Sequence, residues 1–243
     1  MHLLPILYAV LGAAVAYWIL PWLWLRDRKR QLLVRCREQR AIAVTFDDGP
    51  SRELTSAITA ELAAAEVPAS FFLLGVSVQD HEDIVRDLLD QGHQVGCHGE
   101  GHVHHWKSPP WAGLVDTYRG LRRLERVTGL PAAAMQFRPP FGKLNLLSLL
   151  FVWWHRTPIV MWTHDGHDTR TDRDLTPAEL ADGLRATGGG VLLLHDFHRH
   201  IEDERAQVVN KLQAVLALRH EGFRFVRLRD LLAAPRPPAS RTL

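Results

Sequence analysis

Cysteine is scarce in this chain, and its charges nearly cancel. Cys36 and Cys97 are the only cysteines among 243 residues, too few for a disulfide framework or a zinc–thiolate cluster. The formal net charge is +2 at pH 7, so no overall field indicates a nucleic-acid partner. No glycine-rich phosphate loop follows the first predicted strand, at residues 41–46, which weakens a dinucleotide-binding interpretation. Hydrophobic residues make up 47% of the chain and charged residues 23%, a balance typical of a globular protein.

The N-terminal segment is apolar and carries no formal charge over residues 3–25. At about 1.5 Å per helical residue it is long enough to cross a hydrocarbon layer of about 30 Å. Pro21 keeps a kinked or re-entrant segment open as an alternative. Arg26 and further basic residues follow directly, and such residues are retained on the cytoplasmic side. The sequence therefore predicts a membrane anchor in residues 1–30, with membrane lipids as partners and the downstream domain facing the cytoplasm.

The rest of the chain alternates short apolar runs with amphipathic segments. Strands are predicted at residues 41–46, 67–74, 94–97, 135–137, 159–162, 191–194 and 223–228, and helices at residues 81–91 and 111–128 among others. Repeated strand–helix units predict a parallel sheet with helices outside. Polar residues follow the ends of five strands, which favours a barrel. We expect one domain over residues 41–232 and a disordered tail over residues 233–243.

Two helix starts can be read from local sequence. Ser51 is predicted to cap the helix whose apolar residues Leu54, Ile58 and Leu62 share one face. Thr176 and Glu179 form a capping-box pattern around a proline at the first helical position.

An acidic pair follows the first predicted strand. Asp47 and Asp48 lie in the segment Thr-Phe-Asp-Asp-Gly-Pro. Adjacent carboxylates at the end of a buried strand are costly unless a cation or a proton intervenes. Asp-Gly-Pro is also turn chemistry. The two interpretations are compatible, because a turn can present both carboxylates.

Two histidines follow another predicted strand, four residues apart. His98 and His102 with one Asp would make an open metal site that leaves positions for water and substrate. Zinc suits these ligands, and ferrous iron also favours two His and one carboxylate on one face. The neighbouring His104 and His105 are interpreted as residues of a solvated loop.

Later segments add further polar positions. Arg138 precedes two prolines and could hold a carboxylate in its ionised form. Asp165 and Asp168 share one segment, and His195 ends the run at residues 191–194. A lone histidine there would be a satisfied core residue, but one paired with an acidic residue could stay charged and donate a proton.

These five segments, in this order, resemble the polysaccharide deacetylases of carbohydrate esterase family 4, over about residues 41–230. The resemblance implies an α/β fold, a distorted (β/α)7–8 barrel, here preceded by one N-terminal transmembrane or re-entrant helix. It also implies a metal-dependent hydrolase that removes an N-acyl group, with N-acetyl expected, from an amino sugar.

The resemblance also implies roles for the metal side of the site. Asp47 would be the general base. Asp48, His98 and His102 would hold one divalent ion, with Zn²⁺ favoured and Fe²⁺, Co²⁺ or Ni²⁺ compatible. Arg138 would orient the base.

On the substrate side, His195 would protonate the leaving amine, and Asp168 would hold it charged, with Asp165 the less favoured candidate. A backbone N–H near Phe141 would help to stabilise the oxyanion, and Leu193 would line the pocket for the acyl methyl group.

Two residues depart from the family pattern. Gly99 stands where Ser or Thr is usual, so we expect one loop hydrogen bond to be missing. Thr169 stands where Trp is usual, so the acyl pocket is expected to be reshaped, and formyl stays an alternative to acetyl.

The substrate is expected to be a carbohydrate, and the anchor suggests one carried on a polyprenyl lipid at the cytoplasmic face. The apolar residues 144–154 form either a buried helix, the default, or a membrane-dipping surface. Alternatives are an N-deformylase, an O-acetyl esterase, and a peptidoglycan or polysaccharide deacetylase outside the membrane. An inactive sugar-binding module predicts loss of Asp47, a metal ligand or His195, and all are present. No oligomeric state follows from the sequence.

Overall fold

The computed structural model describes residues 3–169 and 174–233. Of the tail predicted at residues 233–243, all but Ala233 lies outside the described residues.

The described strands form one sheet with a helix layer around it. They are β1 (Ala41–Asp47), β2 (Ser70–Leu73), β3 (Gln94–Cys97), β4 (His164–Asp165), β5 (Gly190–His195) and β6 (Arg224–Phe225). The order is β3-β2-β1-β5-β4, and β6 pairs with the first residues of β1. Each pairing in the described part of the chain is parallel. The predicted α/β barrel architecture is confirmed.

Three predicted strands are much shorter than expected: the one at residues 223–228 is reduced to the two residues of β6, and those at residues 135–137 and 159–162 are reduced to single bridges. Phe137 and Ile159 form single parallel bridges, one to Cys97 and one to each other, and these extend the sheet beyond β3. Prolines border both segments and have no N–H to donate to a ladder, which limits the pairing. In contrast, β4 pairs with β5 although its residues carry no strand-like apolar pattern.

Helices connect the strands and cover the sheet. They are α1 (Leu3–Gln39), α2 (Arg52–Ala64), α3 (Gly75–Gln79), α4 (Glu82–Asp90), α5 (Ala112–Thr128), α6 (Leu146–Trp154), α7 (Pro177–Thr187), α8 (Glu202–Leu216) and α9 (Leu228–Ala233). The apolar face predicted for α2 is confirmed, since Leu54, Ile58 and Leu62 are fully buried. Truncating such a residue to alanine costs about 2–5 kcal/mol.

The two predicted helix starts have different outcomes. The capping box of α7 is confirmed, with Glu179 N–H donating to Thr176 Oγ1 at 3.2 Å and Thr176 N–H donating to Glu179 Oε2 at 2.9 Å. The predicted cap at Ser51 is wrong, because its side chain makes no capping bond. Ser51 Oγ instead donates to Asp196 O at 2.7 Å, which ties the start of α2 to the end of β5.

Helix α1 combines an exposed half with a packed half. Residues such as Leu4, Leu7 and Leu11 are exposed, and the helix is long and apolar enough to span a membrane. Toward its C-terminus, Leu25 and Cys36 are buried in the domain core. The helix therefore continues without a break across the domain boundary proposed at residue 30.

Helix α6 fits neither single interpretation of residues 144–154. Leu144 and Val152 are buried, whereas Leu150, Trp153 and Trp154 are exposed. One face therefore packs on the domain and the other presents large apolar side chains to the surroundings.

Candidate metal centre and active site

The carboxyl ends of the parallel strands bring the polar residues together. Asp47 ends β1 and His195 ends β5, and the two are partners in the strand register. His98 follows β3, and the bridge between Cys97 and Phe137 places Arg138 beside it. This is the face at which a parallel barrel builds its site.

Asp48, His98 and His102 converge on one point. Asp48 Oδ1 lies 3.4 Å from His98 Nε2 and 3.3 Å from His102 Nε2. One ligand atom from each of the three residues lies within 4.8 Å of the others. The predicted ligand residues therefore form a cluster of the size that one metal ion requires.

The protonation states of this cluster fit a divalent cation. Burial is the main cause that lowers the pKa of both His98 and His102, so both favour the neutral, metal-binding form. His98 Nδ1 lies 2.7 Å from the carbonyl oxygen of Arg138. That bond assigns the proton to Nδ1 and leaves the Nε2 lone pair facing Asp48. Asp48 Oδ1 is buried and has no hydrogen-bond partner among the described residues, which a cation would remedy.

Asp47 is held by an arginine in the interior. Arg138 Nη1 donates to Asp47 Oδ1 at 2.7 Å and to Thr45 Oγ1 at 2.8 Å. The Arg138 side chain is fully buried, and its Cζ lies 4.1 Å from the centre of the Phe72 ring. The other oxygen, Asp47 Oδ2, lies 3.7 Å from His98 Nε2. The Asp47 carboxylate is thus fixed next to the candidate metal ligands.

His195 belongs to a second buried ion-pair chain. Its Nδ1 lies 3.0 Å from Asp168 Oδ1, and Arg199 Nη2 donates to Asp168 Oδ2 at 2.7 Å. Burial opposes the charged imidazole, but the hydrogen bond and charge of Asp168 outweigh it and raise the pKa of His195 to about 9. His195 is therefore a charged acid at neutral pH, with Nε2 as its free nitrogen.

Comparison with known proteins decides the family. The model for the polysaccharide deacetylase family matches residues 34–150. A chitooligosaccharide deacetylase of Rhizobium leguminosarum bv. trifolii is 33% identical over 172 residues, which are 65% of this chain and 73% of that protein. This chain belongs to the polysaccharide deacetylase family.

Other family members extend the comparison. A peptidoglycan-N-acetylglucosamine deacetylase of Listeria monocytogenes is 28% identical over 202 residues, 81% of this chain, but the match spans only 40% of that longer protein. The crystal structure of a peptidoglycan N-acetylglucosamine deacetylase superposes with a TM-score of 0.71 at 26% identity, over 83% of this chain and 92% of that one. The polysaccharide deacetylase fold therefore accounts for most of the chain.

The predicted substrate-side residues are less tightly grouped. Phe141 is half-exposed, and its ring centre lies 4.3 Å from that of His102. Leu193 is buried inside β5. Asp165 Oδ1 accepts a bond from His167 N–H at 2.9 Å within its own loop, and Thr169 is exposed. Of the two acidic candidates, Asp168 is the one bonded to His195.

Two neighbouring histidines differ from their interpretation as solvated loop residues. His105 is buried, and burial is the main cause that lowers its pKa to about 4. The ring of His104 stacks on Phe141 with centroids 4.8 Å apart. His105 is therefore an interior residue packed against Gly113 of α5, and His104 packs beside Phe141 at the site.

Sequence reasoning missed Asp116, which shapes the histidine loop from α5. Its Oδ1 accepts the Gly101 N–H at 2.7 Å, and its carbonyl oxygen accepts the Glu100 N–H at 3.1 Å. A Cβ at Gly99, where φ is +91°, would lie 2.1 Å from Asp116 Oδ2. The glycine therefore makes room for this carboxylate. The sequence feature that could have identified Asp116 is its position, as an acidic residue, on the buried face of α5 that also carries Leu121.

Three of the non-glycine residues with positive φ in the described chain lie at this site. Asp48, His102 and Phe141 have φ values of 73°, 58° and 57°. Non-glycine residues rarely adopt this left-handed region, and such strain persists only where the surrounding structure enforces it. The fold thus holds Asp48 and His102, two of the three candidate metal ligands, in costly backbone conformations.

Proposed function

We propose that this protein is a metal-dependent hydrolase that removes an N-acetyl group from an amino sugar. The observation that carries the proposal is the cluster of Asp48, His98 and His102, which lies beside Asp47, the proposed base, while His195, the proposed acid, is the strand-register partner of Asp47. Base, cation site and acid are the three parts that hydrolysis of an amide requires.

The cluster supplies the ligands for one divalent ion. When bound, that ion contributes Lewis-acid polarisation of the acyl carbonyl and acidification of a water molecule. Zn²⁺ is the preferred ion for one carboxylate and two imidazoles, with Fe²⁺, Co²⁺ or Ni²⁺ as alternatives.

Asp47 serves as the general base. It accepts a proton from the water that attacks the acyl carbon, and the Arg138 guanidinium holds the carboxylate in place through the bond at 2.7 Å. A positioned base contributes about 100- to 10,000-fold to the rate. The oxygen of the tetrahedral adduct is stabilised in part by a backbone N–H near Phe141.

His195 serves as the general acid. An amine is a poor leaving group until its nitrogen is protonated, and His195 donates that proton from Nε2. Asp168 holds the Nδ1 side of the ring in the orientation this requires. The acyl methyl group would rest near Leu193.

Metal content tests the central element of this proposal. Elemental analysis of the purified protein is expected to show near-stoichiometric metal, which is lost when His98 and His102 both become alanine. His104→Ala is the matched control, since this histidine stacks on Phe141 outside the cluster. Retention in the double variant, with loss in the control, would move the metal site to the adjacent loop.

The finer proposal concerns the carrier of the sugar. The exposed apolar half of α1 supports a membrane location. The relatives include peptidoglycan and chitooligosaccharide deacetylases, so a polymer is the competing substrate. An enzyme attached to a bilayer gains most from a substrate held in the same plane. We therefore favour an amino sugar linked to a polyprenyl phosphate on the cytoplasmic face.

Two measurements test the carrier. The first compares kcat/KM for one N-acetylated amino sugar on polyprenyl phosphate and on a short soluble aglycone, in matched detergent. The second uses mass spectrometry to follow loss of an acetyl group from lipid-linked sugars incubated with the enzyme. Equal turnover of the soluble sugar would refute the lipid carrier and leave the deacetylase proposal standing.

A further inference from the structure

We propose that the catalytic end of the barrel docks onto the bilayer that helix α1 enters, so that the active site opens at the lipid headgroups. The partner is a lipid surface, and the contact is made by loops around the site rather than by α1 alone. What this means for the substrate rests on the proposed function, but the docking itself does not.

The direction of α1 along the barrel follows from three contacts. Near its C-terminus, Arg37 lies against Gly188, just before β5 begins. Further back along the chain, Lys29 Nζ lies 5.8 Å from the Trp162 ring, which is itself 5.9 Å from the Cζ of Arg138. Followed from its C-terminus toward its N-terminus, α1 therefore runs from the amino ends of the strands to the level of Arg138.

The third contact shows where the apolar half of α1 goes. Tyr17 Oη donates to the carbonyl oxygen of Pro110 at 2.9 Å, in the loop that follows the metal-binding His102. Tyr17 is about 18 Å beyond Lys29 along the helix axis. The apolar residues before it therefore project past the catalytic end of the barrel, not past the opposite end.

The catalytic end carries exposed apolar side chains of its own. Val76, Trp111, Phe141 and Ile201 are 49%, 65%, 51% and 55% exposed. Each lies in a segment that follows the carboxyl end of a strand or strand bridge, and we call these four residues the catalytic rim. Large apolar residues exposed around one opening are typical of a surface that meets a membrane or a partner.

The charge beside the rim fits phospholipid. Lys107 is exposed in the same loop as Trp111, and Lys143 lies two residues beyond Phe141, with its Nζ 4.6 Å from the Trp106 ring. An apolar face with flanking Lys and interfacial Trp is the composition of a segment that lies in the headgroup layer. The catalytic rim lies level with Tyr17, and the apolar residues of α1 before Tyr17 project beyond it. A bilayer that holds those residues would therefore be in contact with the rim.

The test places a fluorophore at single cysteines of the full chain. Val76→Cys, Trp111→Cys and Ile201→Cys probe the rim without touching the base, acid or metal residues. Asp90→Cys is the matched control, since it is exposed just before β3, at the amino ends of the strands. The native Cys36 and Cys97 are buried and are expected to stay unlabelled.

The labelled protein is reconstituted into vesicles of phosphatidylethanolamine and phosphatidylglycerol that contain a nitroxide-bearing lipid. Quenching is expected to be several-fold stronger at the three rim positions than at Asp90→Cys. Equal quenching overturns the proposal. Energy transfer between rim labels of two copies, without lipid quenching, also overturns it and assigns the face to a second chain.

This readout is independent of turnover. Strong rim quenching in a protein that deacetylates nothing would leave the docking proposal intact and refute the proposed function. Weak rim quenching in an active deacetylase would do the reverse. Unchanged thermal unfolding of each cysteine variant shows that the label reports on the native fold.

Discussion

The charge on His195 depends on Asp168, which bonds to it, and on Arg199, which bonds to Asp168. Burial alone would hold the pKa of its imidazole below the ordinary value, and Asp168 reverses this. Burial also disfavours the Asp168 carboxylate, yet its bond to His195 and the charges of His195 and Arg199 keep its pKa low. Arg199, which the sequence did not single out, is thus a positioning residue that acts through Asp168.

The pH profile of the enzyme is expected to report this arrangement. The acid form of His195 is lost as pH rises through its pKa, so the alkaline limb of kcat/KM is expected near pH 9. In Asp168→Asn the interaction that raises the pKa of His195 is largely removed, while the burial that lowers it remains. The alkaline limb of kcat/KM should therefore move down toward or below pH 7. Asp165→Asn is the control, because that side chain bonds within its own loop. A limb that moves equally in both variants would remove Asp168 from its proposed role.

Replacing His195 itself separates amide from ester hydrolysis. His195→Ala is expected to slow amide substrates by about 100- to 10,000-fold. Esters with good leaving groups should be affected much less, because an alkoxide needs a proton less than an amine does. The comparison uses matched N-acetyl and O-acetyl sugars. Equal losses on both would mean that His195 does not protonate the leaving group.

Asp47 and Arg138 form a buried ion pair. Replacing either residue alone is expected to lower the free energy of unfolding substantially. Arg138→Met would leave a buried carboxylate without its cation, a change that costs about 3–5 kcal/mol. Adding Asp47→Asn should return part of that loss, since the neutral amide is cheaper to bury. Denaturant unfolding of the two single variants and the double variant, all without metal, gives the coupling energy. Strictly additive costs would show that the pair is not coupled.

At the scale of secondary-structure elements, the sequence patterns correctly predicted the features that depend on residues close together in the chain. The Thr176–Glu179 box starts a helix because its bonds are made within four residues. Strands β1 and β5 each contain a continuous apolar run, at residues 41–44 and 191–194, as is typical of buried parallel strands. Their carboxyl ends necessarily share one edge, so the positions of Asp47 and His195 could be foreseen.

Contacts between distant elements could not be read from such patterns. Asp116 reaches the histidine loop from the middle of α5, and Ser51 bonds across to β5 instead of capping its own helix. Strand β4 exists because β5 offers it an unpaired edge, not because its residues favour a strand. Each of these depends on tertiary packing that brings separate segments within hydrogen-bond distance.

The packed half of α1 sets where the chain can be cut. Removing residues 1–20 deletes no buried residue among those described and only one hydrogen bond to the domain, from Tyr17 to Pro110, so the thermal unfolding temperature should fall only slightly. Removing residues 1–30 also deletes the buried Leu25, a loss of about 2–5 kcal/mol. Leu25→Ala and Leu11→Ala in the full chain are the buried and exposed controls. Equal stability of both truncated forms would show that this half of α1 does not support the fold.

For the whole molecule, the direction of α1 and the distribution of charge together predict which side of a membrane would hold the domain. The basic residues directly after the apolar segment, Arg26, Arg28, Lys29 and Arg30, lie on the same side as the barrel. Lys and Arg close to a span are retained in the cytoplasm. A domain attached to that flank should therefore face inward, together with its site.

Cysteine accessibility in intact cells tests this orientation. Asp90→Cys lies on an exposed part of the domain, and the two native cysteines are buried. A membrane-impermeant maleimide is expected to leave Asp90→Cys unlabelled until the membrane is permeabilised. Labelling of Asp90→Cys after permeabilisation is the control that shows the reagent reacts with this position. Ready labelling of Asp90→Cys in intact cells would place the domain outside. The positive flank would then not govern topology, and a cell-wall polymer would replace the lipid-linked sugar as the favoured substrate, with the same metal site and the same acid and base.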